Sequence, residues 1–332
     1  MKTKPILVLA GEPNSVFLEI FFKVLKKKII NNPIVLIVSK DLFFKQMKQL
    51  GFNYKIKLIN EKNINFKKID NKQINIINVA YNFKNPFEKI TDKSNNYLTK
   101  CFSIALQLLK KDDFLGIING PISKKNFLKA KYLGVTEYLA AKTKRKNNVA
   151  MLIYNKKLSV SPLTTHLPLK LVHKMITKKK IVNHVKLIIE FYRKEFKKIP
   201  KIAITGLNPH CESNYISSEE KKIIIPSVKL LNKRNINVEG PFPSDTIFSK
   251  EHLKNFDVII GMYHDQVLAP MKALFGFDAI NITLGFISFL SHPHPNHPNH
   301  TKNHCNQQHT EFQLRPITAV NKIVNATSLD SL

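Results

Sequence analysis

Three histidines end hydrophobic runs in this chain: Thr164-Thr165-His166-Leu167-Pro168, Leu207-Asn208-Pro209-His210 and Met262-Tyr263-His264-Asp265-Gln266. Such runs read as strands, and open α/β sheets keep their chemistry at strand ends. One histidine in that setting is more often a surface or hydrogen-bonded side chain than a ligand. Three point to a shared metal ion. Neutral imidazoles suit zinc, cobalt or another borderline divalent ion and leave a coordination position for substrate. Spacings of 44 and 54 positions match no local zinc motif, so only the fold can bring the three rings together.

Other segments carry chemistry-bearing residues. Asn119-Gly120-Pro121-Ile122-Ser123-Lys124 precedes Gly134-Val135-Thr136-Glu137-Tyr138. Thr136 there could offer a hydroxyl and a backbone N–H to an anion at a helix start, or serve as an ordinary cap. Gly240-Pro241-Phe242-Pro243-Ser244-Asp245-Thr246 reads as a rigid loop, its prolines holding Asp245 in place. Lys272, downstream of the His-Asp-Gln cluster, could clamp a phosphate or carboxylate as a compact point charge. Asn281-Ile282-Thr283-Leu284-Gly285 follows.

The elements that must position these residues alternate between β and α signals, which predicts a mainly parallel sheet covered by helices. Strands are expected at 5–10, 33–39, 55–60, 74–80, 114–118, 149–154, 158–162, 201–206, 257–261 and 279–284. Helices are expected at 15–28, 41–50, 95–111, 169–194 and 217–231. Most of the ten glycines fall inside the motif segments, where they are expected to hold backbone positions closed to other residues. No GxGxxG follows the first strand, so a standard dinucleotide fingerprint is absent and the cofactor contacts stay unassigned.

Composition narrows the class. With 332 residues, 43% hydrophobic, the chain can bury a large α/β core. No apolar run reaches the roughly 18–20 residues of a membrane span, and the N-terminus carries no signal-peptide pattern. A cytoplasmic protein is expected, and three scattered cysteines, Cys101, Cys211 and Cys305, make no disulfide framework. The net charge of +30 resembles a nucleic-acid footprint, but of 53 basic residues only Arg145, Arg193, Arg234 and Arg315 are arginine. Nucleic-acid binders favour arginine for bidentate contacts, so no nucleic-acid partner is expected.

The motifs "NGPISK", "TEYLA", "TTHLPL", "GLNPH", "GPFPSDT" and "YHDQVLAPMKAL", in this order between Gly11 and Gly285, resemble the 4-hydroxythreonine-4-phosphate dehydrogenases of vitamin B6 synthesis. The resemblance implies an isocitrate/isopropylmalate-dehydrogenase-like α/β fold of two intimately joined subdomains. It implies a homodimer with its active site at the subunit interface and a divalent ion, zinc, cobalt or magnesium. That ion is held by His166, His210 and, across the interface, His264 of the partner subunit. Thr136, Lys272 and Asn281 contact the phosphorylated hydroxy-acid substrate; Asp245, Asp265 and Lys272 are the catalytic candidates, the two aspartates as ligand-orienting groups or proton relays. The reaction is a hydride transfer to NAD with loss of carbon dioxide. The same motifs recur in dehydrogenases of phosphorylated four-carbon sugar acids such as threonate or erythronate phosphate, and a catalytically impaired ligand-binding relative is the alternative of another class.

Departures stand beside the matches. The family's first loop reads like GDPAGIGPE, where this chain has Gly11-Glu12-Pro13-Asn14-Ser15-Val16-Phe17-Leu18-Glu19. Val135 replaces a histidine, Val267 a glycine, and Leu290 stands where a substrate-binding arginine is expected. We read residues 1–285 as the catalytic region, of two interleaved subdomains. Residues 286–320 form an aberrant segment rich in His, Pro and Asn, with His292, His294, His297, His300, His304 and His309, and 321–332 a family-like ending. A compensated shift of reading frame produces this pattern.

Overall fold

The computed structural model describes residues 4–27, 30–111, 113–129, 131–132, 134–144, 148–211, 216–276 and 278–285. The segments 286–320 and 321–332, with their histidines and Leu290, lie outside the described residues. Among those described, the chain divides into two compact units at a single point, between Val135 and Thr136.

In the first unit, β1 (Ile6–Leu9), β2 (Ile34–Val38), β3 (Ile56–Leu58), β4 (Ile74–Asn78) and β5 (Gly116–Asn119) form one sheet in the order β3-β4-β2-β1-β5. Every pairing is parallel. All residues of β1 and β2 are buried, as continuous apolar runs are when helices cover both faces of a parallel sheet. Of α1 (Phe17–Lys26), α2 (Lys40–Gln49) and α3 (Asn95–Leu109), the first buries Phe17, Leu18, Phe21 and Phe22 at helical spacing. Phe22 meets Phe43 of α2 edge-on at 5.0 Å, and each such buried ring contributes about 2 kcal/mol through the area it removes from water.

The second unit opens with α4 (Val135–Lys142) and contains β6 (Ala150–Tyr154), β7 (Ser159–Thr164), α5 (Leu169–Met175), α6 (Lys178–Phe196), β8 (Ile202–Thr205), α7 (Ile225–Lys233), β9 (Val238–Phe242), α8 (Lys250–Leu253), β10 (Val258–Tyr263), α9 (His264–Phe275) and β11 (Ile280–Leu284). Its six strands are ordered β11-β6-β7-β10-β8-β9. Strands β7, β10, β8 and β9 are mutually parallel. Strand β6 runs against both its neighbours. The α/β class with mainly parallel sheets flanked by helices is the one expected.

Two expectations need correction. The single helix at 169–194 is two helices, because Ile176 and Thr177 adopt extended backbone and the Thr177 hydroxyl caps α6 by accepting from Lys180 N at 3.2 Å. Part of the segment read as a rigid loop, Gly240-Pro241-Phe242, is strand β9. As the last strand of its sheet β9 has a free edge, where proline's missing N–H costs no ladder bond. Gly240 has φ 134°, and a Cβ there would stand 2.4 Å from the Ile204 carbonyl oxygen, so only glycine fits. Gly276, at the C-terminal end of α9, has open space around it but holds φ 56° and ψ −126°, a backbone conformation other residues rarely adopt. No helix among the described residues is long and apolar enough to cross a membrane.

A buried serine–histidine pair lies between α6 and β7. Ser161 gives its only proton to the Met151 carbonyl, so it must accept from His184 Nε2 at 2.6 Å. The pair is therefore structural: the hydroxyl has no proton to yield to the ring. Burial, with Lys180 nearby adding to it, pushes the His184 pKa down to about 3. The unfolded chain then binds a proton the folded one refuses, and stability falls as pH drops from about 6.5 toward 3. Between pH 6.5 and 5, urea unfolding should lose on the order of 1 kcal/mol from this group, a loss that His184→Gln removes; equal slopes for both proteins would contradict it. Thr177→Ala should lower the unfolding free energy by about 1 kcal/mol, read as a shift in denaturation midpoint at unchanged slope.

Candidate functional site

Four neighbouring parallel strands of the second unit deliver the sequence-predicted residues to one edge. His166 lies two residues past β7, His264 is the residue after β10 and opens α9, His210 lies in a single helical turn after β8, and Asp245 lies three residues past β9. Strands β7 and β10 end level, Thr164 pairing with Tyr263. All three histidines thus occupy carboxyl ends of strands, where such sheets bind ligands. Two hold left-handed backbone, His166 at φ 43° and His210 at φ 58°. That conformation is uncommon outside glycine and concentrates at functional sites, where surrounding structure must sustain the strain.

Adjacent strands stand about 4.8 Å apart, and accordingly the rings of His166 and His264 lie 5.4 Å apart, tilted by 38°. His210, on the far side of β10, turns toward Asp245, its Nδ1 3.9 Å from Oδ2. The resemblance places His264 in the site from the partner subunit, yet within one chain its ring already neighbours that of His166. No group of three His, Cys, Asp or Glu side chains among the described residues is close enough to hold a metal ion.

The three histidines share a second feature. Each presents Nδ1 to a carboxylate: His264 donates to Asp265 Oδ1 at 2.6 Å, His166 Nδ1 is 3.8 Å from Glu137 Oε1, and His210 faces Asp245. Metal-ligating histidines carry this accessory carboxylate, which keeps the proton on Nδ1 and leaves Nε2 for the ion. Only the His264 contact is a hydrogen bond, and the three imidazoles suit a divalent metal in the kind of donor they offer.

Two residues that the sequence reading left without a role hold these strand ends. Gln266 Oε1 accepts from Met262 N at 2.6 Å and Thr205 Oγ1 at 3.0 Å, and its Nε2 donates to the Gly206 carbonyl at 2.8 Å. One side chain thus ties the end of β10 to the end of β8. Buried Glu220 accepts from Leu207 N and Asn208 N, both at 2.8 Å, which fixes the loop that leads into His210. Burial raises the Glu220 pKa, but those hydrogen bonds outweigh it and hold the group below the usual range. The signal for Glu220 was an acidic pair, Glu219-Glu220, inside a lysine-rich stretch.

Thr136, at the start of α4, shares a hydrogen bond of 3.0 Å with Thr283 on β11, and Asn281 lies two residues before Thr283 on the same face of that strand. Thr136 and Asn281 are thus brought together. Lys272 sits eight residues after His264, about 12 Å along α9, and is exposed at the far end of that helix. Val267, in place of the family's glycine, is fully buried in the core and fits because Gly261 opposite it has no side chain.

Comparisons with known proteins identify the family. Residues 30–293 match the family model described as pyridoxal phosphate biosynthetic protein PdxA. A 4-hydroxythreonine-4-phosphate dehydrogenase of Sulfurihydrogenibium sp. is 41% identical over 216 residues, which are 64% of this chain and 65% of that protein. A relative from Oceanobacillus iheyensis, provisionally named a D-threonate 4-phosphate dehydrogenase, is 33% identical over 204 residues, 60% of this chain and 61% of its own length. The match to these relatives thus spans somewhat under two thirds of their lengths. The crystal structure of 4-hydroxythreonine-4-phosphate dehydrogenase from Klebsiella pneumoniae superposes with a TM-score of 0.71 at 26% identity, covering 85% of this chain and 88% of that one. With most of its length matched by the family model, the chain belongs to the PdxA family of pyridoxal phosphate biosynthetic proteins.

Proposed function

We propose that the protein is a metal-dependent, NAD-linked dehydrogenase that oxidises and decarboxylates 4-hydroxythreonine 4-phosphate to 3-amino-2-oxopropyl phosphate, in the cytoplasm and as a homodimer with shared active sites. The observation that carries this reading is the row of three strand-end histidines, each with a carboxylate at Nδ1, in a chain of the PdxA family.

Zinc or cobalt suits three imidazoles better than magnesium, which prefers oxygen ligands. A bound ion would supply a Lewis acid that eases deprotonation of the substrate hydroxyl and stabilises charge on its oxygen, with NAD as the hydride acceptor. The chain's own groups do the rest. His166 and His210 supply two ligands from one subunit, and His264 of the partner subunit completes the set. Asp265 holds the proton on His264 Nδ1, and Asp245 does the same for His210, so both aspartates orient ligands. Thr136 and Asn281 bind substrate, with Lys272 as a further cationic contact for phosphate.

Two measurements test this reading. Titrated with zinc or cobalt, the intact protein should bind the ion. His166→Ala, His210→Ala and His264→Ala should each weaken binding at least about tenfold, and unchanged affinity in all three would remove the metal site. The metal-loaded enzyme should form NADH with 4-hydroxythreonine 4-phosphate faster than with D-threonate 4-phosphate. The opposite preference assigns the sugar-acid reaction, and no NADH with either identifies a ligand-binding relative.

A further inference from the structure

Glu137 is neither a proposed ligand nor a proposed substrate contact, yet its placement is unusual. It is the third residue of α4, where an acid commonly serves the helix dipole from an exposed position. Here the carboxylate turns inward. Its Oε1 accepts the Thr165 hydroxyl at 2.7 Å and lies 3.8 Å from His166 Nδ1. Its Oε2 is buried with no hydrogen-bond partner. Leaving a carboxylate oxygen dry and unpaired is unfavourable, and helix capping does not require it. The histidine it faces has left-handed backbone that neighbouring groups must sustain.

We propose that Glu137 is the positioning residue of His166: locked by the Thr165 hydroxyl, its Oε1 holds the imidazole proton on Nδ1 and so turns the Nε2 lone pair toward the metal position. This rests on the metal reading above. An ordinary hydrogen bond of about 2.9 Å needs the two groups to close by about 1 Å, a shift that ligation of Nε2 would draw from the ring. The residue before Glu137 is Thr136, whose hydroxyl meets Thr283. One helical turn therefore carries both a proposed substrate contact and the group that aligns a metal ligand.

The test uses the full chain with ¹⁵N-labelled histidine and two readouts. In the metal-free protein, long-range ¹H–¹⁵N spectra should show the His166 proton on Nδ1, and Glu137→Gln should shift it toward Nε2. In cobalt titrations Glu137→Gln should weaken binding about 10–100-fold, and Glu137→Asp should recover part of that loss. Should Glu137→Gln fail to fold, Thr165→Val removes the lock and should move both readouts the same way by less. Wild-type protein that binds cobalt, beside a Glu137→Gln variant with an unchanged tautomer and affinity within twofold, would overturn the proposal. A tautomer shift without cobalt binding by wild type would instead sink the metal reading and leave the placement of the ring standing.

Discussion

Everything at the candidate site depends on the register of four parallel strands, of which β7 and β10 end level with one another and β8 and β9 end level with one another. In a parallel sheet the register between sequence-distant strands is set by slanted backbone bonds and by side-chain packing, and a one-residue slip would send each strand's last side chain to the opposite face. Here Thr164 opposes Tyr263, Ile260 opposes Ile204, and Thr205 opposes Phe242. The amide of Gln266 then closes the edge by binding backbone on both β10 and β8 together with the Thr205 hydroxyl. Its three hydrogen bonds are buried, so losing any one would strand a polar group away from water.

From that edge the local chemistry follows. Two histidines adopt left-handed backbone, a cost on the order of 1–3 kcal/mol each, which directs their rings away from the strand axis. The carboxylates then matter more than their number suggests. The chain has 23 acidic residues against 53 basic ones, and three of the scarce acids stand at the Nδ1 atoms of the three histidines. Burial raises the pKa of Glu137, but His166 and the Thr165 hydroxyl outweigh it and hold the carboxyl at about 2. It is thus ionised throughout the neutral range and able to keep a proton on the facing nitrogen.

Strands were the most legible part of the sequence, because a sheet covered on both faces needs unbroken apolar runs such as Ile34–Val38. The strand-end position of the three histidines was legible for the same reason. Less visible was anything set by a single polar atom. The break between α5 and α6 rests on one threonine hydroxyl inside an otherwise continuous amphipathic run. Strand β9 was hidden by its own Gly-Pro pair, a pattern that reads as a loop unless the strand is known to be an edge. Which rings meet could not be read at all, since β7, β10 and β8 become neighbours only through an order that differs from their order along the chain. Glu137 was obscured because an acid at a helix start already has a common explanation.

The loop after β1 departs from the glycine-rich motif of the resemblance. Glycine-rich in the resemblance, it here reads Glu12-Pro13-Asn14-Ser15-Val16, and none of these residues adopts positive φ. Only Gly11 does, at φ 75°, and a Cβ there would lie 2.5 Å from the Pro121 carbonyl oxygen. Glu12 N donates to that same oxygen at 2.8 Å. The one glycine of the loop thus stands where two loops touch, and the residues after it have backbone that does not require glycine. The chain buries Glu12, whose Oε1 takes the Ser94 hydroxyl while Oε2 has no partner. Burial outweighs the hydrogen bonds from the Ser94 hydroxyl and the Ser123 backbone and raises the Glu12 pKa, the opposite outcome from Glu137. The difference is the neighbour: a hydroxyl and a backbone N–H leave the desolvation of Glu12 uncompensated, whereas a facing imidazole offsets it for Glu137.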